Sequence, residues 1–368
     1  MVMTVEGAIS PNDLGITLIH EHLFMDGISL LKKHGYLSQS TGVFDCCAAG
    51  EARWNPGVHP DNYRMTEVDV IAADLAEYKV HGGVSVVDCT PVDLGRNPEA
   101  VREIAKAAGV RAVLGSGYYL EATHEPYVGN RTAQEIADEI VREFKDGIGT
   151  TSIRPGMIGE IGTNNPITRG EKKVLEAAAY AGITTGLPVS VHIHPWGWEG
   201  RKALQVLTES GMPADRVIIN HMNPAISDEG YQHGLLDAGA YLAYDLFGFD
   251  HSLLGLGRYA PSDYDVAHKI VELIGRGNRD QILISHDIGV RTRLRQYGGW
   301  GYSHILRHIV PLLEQSGATT DDIEAILVAN PRRILTIQRT GVVGGTKPPK
   351  SEKRSPHVKT SRVGRGKR

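Results

Sequence analysis

Long apolar runs are missing from this chain of 368 residues. No stretch of 18 or more apolar residues occurs, so no helix able to cross a bilayer is expected. Cysteine is scarce. Cys46, Cys47 and Cys89 make an odd count with two adjacent, which argues against a disulfide framework and for a reducing, cytoplasmic setting. Met1 to Pro11 hold no basic region followed by an apolar run, so no secretory leader is expected. No GxSxG elbow appears, which removes the usual serine nucleophile. Nor does a glycine-rich phosphate turn follow the first strand, as an open dinucleotide-binding sheet would want.

Positive charge is short everywhere except at the end. Residues 345–368 carry nine Lys/Arg and one acid, Glu352, for a local charge of +8. The chain as a whole is −4, which leaves −12 for the rest. The segment 341–368 is rich in Pro, Ser, Gly and Lys/Arg, so it reads as an unstructured tail, with an arm for an anionic partner as the alternative. An acidic body argues against nucleic acid as the main ligand. The remaining residues, 1–340, read as a single domain.

What is present is a repeating rhythm. Short β-branched runs recur at 15–20, 83–88, 110–115, 156–160, 188–192, 216–221, 240–245 and 281–287. Helical patterns fall between them at 66–80, 97–108, 132–146, 168–185, 202–210 and 264–275, and after the last at 302–315 and 320–329. Asn330-Pro331 reads as the stop of the final helix. Strands alternating with helices imply parallel pairing, and eight such units imply a closed (β/α)8 TIM barrel. The segment Leu23–Arg64 breaks the rhythm and reads as an extended loop over the barrel mouth.

Polar residues end five of these strands: His20-Glu21-His22, Glu160, His192, His221 and Asp287. In a barrel the C-terminal strand ends converge on one face, where the active site forms. A lone histidine at a strand end is more often structural. The conjunction is what carries weight. His20 and His22 are two apart, so both rings point into the barrel. Neutral imidazole and ionised carboxylate are the ligands of a divalent transition metal. Six ligands exceed one tetrahedral site and suit two ions roughly 3.5–4 Å apart, sharing a carboxylate and a water or hydroxide. Glu160 is assigned the bridge. His20, His22 and Asp287 are assigned one ion, and His192 and His221 the other. Asp287 is also placed to accept a proton from the attacking hydroxide and shuttle it to the leaving group. Zinc is the default metal, with Mn, Co and Fe tolerated by the same set.

The motifs Thr17-Leu18-Ile19-His20-Glu21-His22, Gly156-Met157-Ile158-Gly159-Glu160-Ile161-Gly162-Thr163, Pro188-Val189-Ser190-Val191-His192, Val217-Ile218-Ile219-Asn220-His221 and Ile284-Ser285-His286-Asp287 together resemble the phosphotriesterase family of the amidohydrolase superfamily. Within it they look like the phosphotriesterase-related, homology-protein branch, over about Val5 to Leu335. The resemblance implies a binuclear site on the six ligands named. It also implies two departures. Organophosphate-degrading members carry a carboxylated lysine where this chain has Glu160. They also carry an acid three positions after the strand-six histidine, where this chain has Pro224. Asp245, which ends the seventh strand, is a candidate substitute or substrate contact.

Further pocket residues are expected from the loops. Tyr118 and Tyr119 follow strand three, and one phenol should lie near the metals. Arg291, in a loop with Arg293 and Arg295, could clamp an anionic substrate group, with Trp300 beyond it. His194 shares the face of His192 and is expected beside it. The expected activity is hydrolysis of a carboxylic ester, lactone or amide in a small-molecule substrate, since related members include lactonases and N-acyl amino acid hydrolases. Phosphoester or phosphotriester hydrolysis is the alternative. A non-catalytic binder of a hydrophobic ligand, as in resiniferatoxin-binding relatives, is the third reading. The resemblance alone points to a homodimer.

Overall fold

The computed structural model of the chain describes residues 1–33, 42–249 and 259–338. Eight parallel strands form its central sheet: β1 (Thr17–Glu21), β2 (Ser85–Asp88), β3 (Arg111–Ser116), β4 (Met157–Thr163), β5 (Val189–Ile193), β6 (Val217–Ile219), β7 (Tyr241–Tyr244) and β8 (Ile282–Ile284). Each pairs with the next in chain order. Between β8 and β1 the Asp287 N–H donates to His20 O at 3.1 Å, and the His20 N–H to Ser285 Oγ at 3.1 Å. The sheet is thereby nearly closed into the expected barrel, flanked by helices.

Side-chain alternation sorts the strands into two faces. Ile19, Val87, Val113, Met157, Ile218, Tyr241 and Leu283 fill the interior. Their neighbours Leu18, Val86, Leu114, Ile158, Ile219, Leu242 and Ile284 join the core beneath the helices. Val2, Leu14, Ile334 and Leu335 extend the interior cluster toward the N-terminal end of the barrel. The opposite end is left to polar groups.

Two strands break alternation where it matters. Register shifts interrupt β1 between Leu18 and Glu21, and β4 between Ile158 and Ile161. Such irregularities re-aim side chains beside active sites. Here they let His20 follow the inward Ile19 and still face the interior, and they bring Glu160 in as well.

Helix boundaries follow their capping chemistry. Thr132 and Thr168 each form a capping box, with Glu135 and Glu171, for the helices Ala133–Asp146 and Arg169–Thr185. Asn97 caps Pro98–Ala108. A helix at Glu229–Asp237, capped by Asp228, went unread in the sequence.

Three expectations need correction. The chain does not stop at Asn330-Pro331; a π turn over Ala325–Ala329 leads into a further helix, Asn330–Leu335. The stretch 302–315 is likewise a π turn, Ile305–Ile309, followed by Val310–Gln315. Proline 331 and proline 311 each stand second in the helix after a π turn. The wider turn accommodates the missing N–H and the ring, which would break an ordinary helix interior. The segment Leu23–Arg64 is also more ordered than an extended loop. Its described part contains the helices Ile28–Lys33 and Cys46–Trp54 and a two-residue pairing of Met25–Asp26 with Arg64–Met65. Asp45 caps the second helix through the Cys47 and Ala48 amides. The basic tail lies outside the described residues, and none of the described helices is long and apolar enough to cross a membrane.

Candidate metal centre

The six strand-end residues meet at the C-terminal end of the barrel, around Glu160. Its Oε1 lies 3.4 Å from His22 Nε2. Its Oε2 lies 3.5 Å from His20 Nε2, 3.3 Å from His192 Nδ1 and 3.8 Å from His221 Nε2. Asp287 Oδ1 is 3.0 Å from His22 Nε2 and 3.6 Å from His20 Nε2. His221 Nε2 and His192 Nδ1 are 2.8 Å apart. Glu160 therefore contacts all four imidazoles while only 2% exposed.

Two of the six depend on unusual backbone. His221 has φ 59° and Asp287 φ 55°, in the left-handed region that non-glycine residues rarely adopt. By alternation Ile218 and Asn220 face in, so an extended His221 would face out. The left-handed turn brings it back. Each such residue is strained by about 1–3 kcal/mol and persists only where its surroundings fix it.

For His221 the fixing group is Asp245. Its Oδ1 accepts from the His221 N–H at 2.8 Å and lies 3.0 Å from His221 Nδ1. Nδ1 then carries the ring proton, and the Nε2 lone pair aims into the cluster. Asp245 Oδ2 stands 3.3 Å from His20 Nδ1, without hydrogen-bond alignment. Asp245 is fully buried, so it orients histidines and is no substrate contact. Asp245→Asn is expected to weaken metal retention by about 10–100-fold, the usual effect of losing such a partner. Wild-type metal content after dialysis of that variant would show the clamp to be dispensable.

The donor set can be tested against a metal. His20 Nδ1 and Nε2, Glu160 Oε2 and Asp245 Oδ2 are buried without a hydrogen-bond partner. Leaving such an atom unpaired costs about 1–3 kcal/mol, more when it is charged. Divalent cations would satisfy His20 Nε2 and Glu160 Oε2, while His20 Nδ1 and Asp245 Oδ2 face each other, so the residues fit. Two groups have donor atoms within 4.8 Å of one another: His20, His22 and Asp287; and His20, Glu160 and His221. His192 Nδ1 adjoins the second.

Electrostatics agree. Burial opposes ionisation of Glu160, but the surrounding imidazoles, His20 foremost, hold its carboxyl well below the usual range. Asp287 is likewise held at about 2 by His22 and His20 against burial. Burial works against protonation of His22 and His221 too, yet the Asp287 and Glu160 carboxylates raise the first and Asp245 raises the second. His192 is pushed down by burial and by the charge on His221. The carboxylates are anionic at neutral pH, so the cavity floor attracts cations.

A cavity of about 150 Å³ opens onto His22, Glu160, His192 and Asp287. Met25, Leu30, Leu94, Phe249 and Val290 give it apolar walls, and two of them belong to Leu23–Arg64. A larger groove of about 790 Å³ lies elsewhere, between Glu121 and Glu176, and touches none of the six.

The expected pocket residues divide. Tyr119 lines the cavity, with its hydroxyl 3.1 Å from His192 Nδ1. Tyr118 does not. Its hydroxyl donates to Glu139 at 3.0 Å and meets Tyr127, because successive residues after β3 point opposite ways. Arg291 turns outward, donating to Arg64 O at 2.8 Å and pairing with Glu67 at 3.5 Å. Trp300 stacks on His304 and is half exposed, away from the cavity. His194 Nδ1 accepts the Trp196 N–H in the turn after β5. Arg291 and Trp300 are thus not pocket contacts: Arg64 and Glu67 hold the first and His304 the second.

Sequence reasoning missed a ring of supporting residues. Thr90 Oγ1 lies 2.9 Å from His22 Nδ1. Asp88 accepts from the Leu23 and Thr90 amides on either side of that contact. Asp93 accepts from the Tyr119 amide. Asp88 ends β2 and Asp245 directly follows β7, so the strand-end rule, applied to the second strand too, would have found Asp88.

A near-closed barrel with imidazoles and carboxylates gathered at its C-terminal end defines a metal-dependent hydrolase. Comparison with known proteins narrows that class. The family model described as Phosphotriesterase family matches residues 1–335, and the chain belongs to that family. It is 35% identical to the N-acetyltaurine hydrolase of Danio rerio, over 92% of this chain and 98% of that one. It is 34% identical to a phosphotriesterase-related protein of Nematostella vectensis, over 92% and 99%. Among solved structures, a resiniferatoxin-binding protein from Rhodobacter sphaeroides superposes with a TM-score of 0.86 at 36% identity, covering 92% of this chain and 96% of that one. The phosphotriesterase homology protein from Escherichia coli, complexed with phosphate in its active site, superposes with a TM-score of 0.74 at 28% identity, covering 89% and 100%.

Proposed function

We propose that this chain hydrolyses an N-acyl amine or a related carboxylic ester or lactone, using two divalent metal ions. The contact of Glu160 with all four imidazoles, with its Oε2 unpaired and buried, carries the reading. His20, His22 and Asp287 would hold one ion and His192 and His221 the other, with Glu160 standing between the two sets. Zinc suits this set, and Mn, Co or Fe would be accepted by it. When bound, such ions polarise a carbonyl and lower the pKa of a water toward about 7.

The chain's own residues supply the rest. Asp287 lines the cavity and keeps a fifth of its side chain exposed. As an ionised carboxylate it takes the proton of the attacking water and delivers it to the leaving nitrogen or oxygen. The Tyr119 hydroxyl faces the acyl oxygen and orients it. The apolar walls, Met25, Leu30 and Phe249 among them, seat the acyl group and exclude bulk water. The amide preference rests on the relatives named as N-acetyltaurine hydrolases. The second reading, phosphoester hydrolysis, rests on the Escherichia coli protein with phosphate in its active site.

The test is metal analysis of the purified protein, then assays on N-acyl amines, lactones and phosphoesters. About two ions per chain and turnover of acyl substrates are expected, with activity lost to a chelator and restored by Zn²⁺. Turnover of phosphoesters alone would select the second reading. A metal-free protein that binds an apolar ligand without turning anything over would leave only the binder.

A further inference from the structure

The middle residue of His20-Glu21-His22 has no place in the reading above, yet it is fully buried. Its carboxylate faces the chain that leaves β8. Oε1 accepts from Ser285 Oγ at 2.7 Å, from the His286 N–H at 2.9 Å and from His286 Nδ1 at 2.6 Å. Oε2 accepts from the Ile288 N–H at 3.0 Å. The amide between these two, that of Asp287, donates to His20 O. Three consecutive amides, 286 to 288, are therefore held by two consecutive residues of β1.

Asp287 is the residue so bracketed, and it is the one at φ 55°. A left-handed aspartate needs its flanking peptides fixed: Glu21 holds the one after it through the Ile288 N–H, His20 O holds the one before it through the Asp287 N–H, and Glu21 also holds the amide of His286 just upstream. Asp245 plays a similar part for His221, but through the ligand's own amide and ring rather than through its neighbours.

We propose that Glu21 is the positioning residue for Asp287: its carboxylate grips the amides of the neighbouring residues His286 and Ile288 and so aims the aspartate at His20 and His22. The inference rests on the two-ion reading given above. Glu21 touches neither ion nor substrate, so it acts only through Asp287. Glutamine at position 21 keeps the volume but offers one acceptor oxygen and an NH₂ group. That NH₂ must face donors, at Ile288 or at Ser285 and His286, so one end of the grip opens.

The experiment measures metal binding, and turnover is not needed. Zn²⁺ affinity and stoichiometry are determined by competition titration for the wild type, Glu21→Gln, Asp287→Ala and the double variant. Glu21→Gln is expected to weaken one of the two ions by about 10–100-fold and leave the other nearly unchanged. In the Asp287→Ala background the same change should alter affinity by less than about twofold, because the group it acts through is gone. Additive losses would mean a general structural role and would overturn the proposal. If Glu21→Gln does not fold, Ser285→Ala removes one of the four donors and should show a smaller loss with the same non-additivity. A wild type that takes up no metal overturns the function reading, and this inference with it. A wild type that loads two ions while Glu21→Gln loads both with unchanged affinity overturns this inference alone.

Discussion

Glu160→Gln is expected to strip the protein of at least one metal ion and nearly all its activity. Glutamine matches the shape of glutamate, so packing around this buried position is preserved. What changes is charge and donor pattern. The carboxylate meets four imidazoles, at 3.3–3.8 Å. An amide offers them one weak acceptor and an NH₂ whose protons oppose the cation. Losing an outer partner of a metal ligand typically costs about 10–100-fold in affinity or activity. Loss of a residue reaching both ions should exceed that range. Metal content after dialysis and kcat/KM on the best acyl substrate decide the matter. A variant with two ions and full turnover would remove Glu160 from its assigned role.

Asp287→Asn separates proton transfer from metal binding. Asparagine tolerates the left-handed conformation that Asp287 adopts and keeps one ligating oxygen. It cannot accept a proton as an ionised carboxylate does. The expected loss in kcat is therefore about 10²–10⁴-fold, with KM little changed and metal content near that of the wild type. Rate and stoichiometry are read from the same preparation. Wild-type kcat in the asparagine variant would assign the proton to another group. Loss of metal in step with loss of rate would show that Asp287 serves mainly as a ligand.

The barrel was legible because each strand announced itself by composition and most helices by their apolar pattern, although Glu229–Asp237 went unread. The patterns at 132–146 and 168–185 found helix starts to within a residue, where the structure shows capping boxes at Thr132 and Thr168. The six strand-end residues were legible because a barrel sends all such ends to one face. Geometry beyond the strand ends was not. Tyr118 and Tyr119 are adjacent and chemically alike, and only the path of the chain past Gly117 (φ 134°) decides which phenol reaches His192. Arg291 and Trp300 were assigned by loop position, but Glu67 and His304 supply nearer partners from elsewhere in the chain. The π turns before Pro311 and Pro331 defeat a rule that treats proline as a stop. Glu21 could be placed facing away from its flanking histidines, but what it meets lies more than 260 positions away.

The closing of the barrel has one more implication, for biosynthesis. The Asp287 amide bonds to His20, and the Glu21 carboxylate to Ile288, 267 positions further on. The site proposed for the ion on His20, His22 and Asp287 would therefore be made from the beginning and the end of the barrel. A nascent chain has no such site until β8 has emerged and docked against β1. Contacts this distant in sequence form late, since the loop they close is nearly the whole domain. An ion held there would act as a staple between the first and last strands of the barrel, and its uptake would report that the two have met.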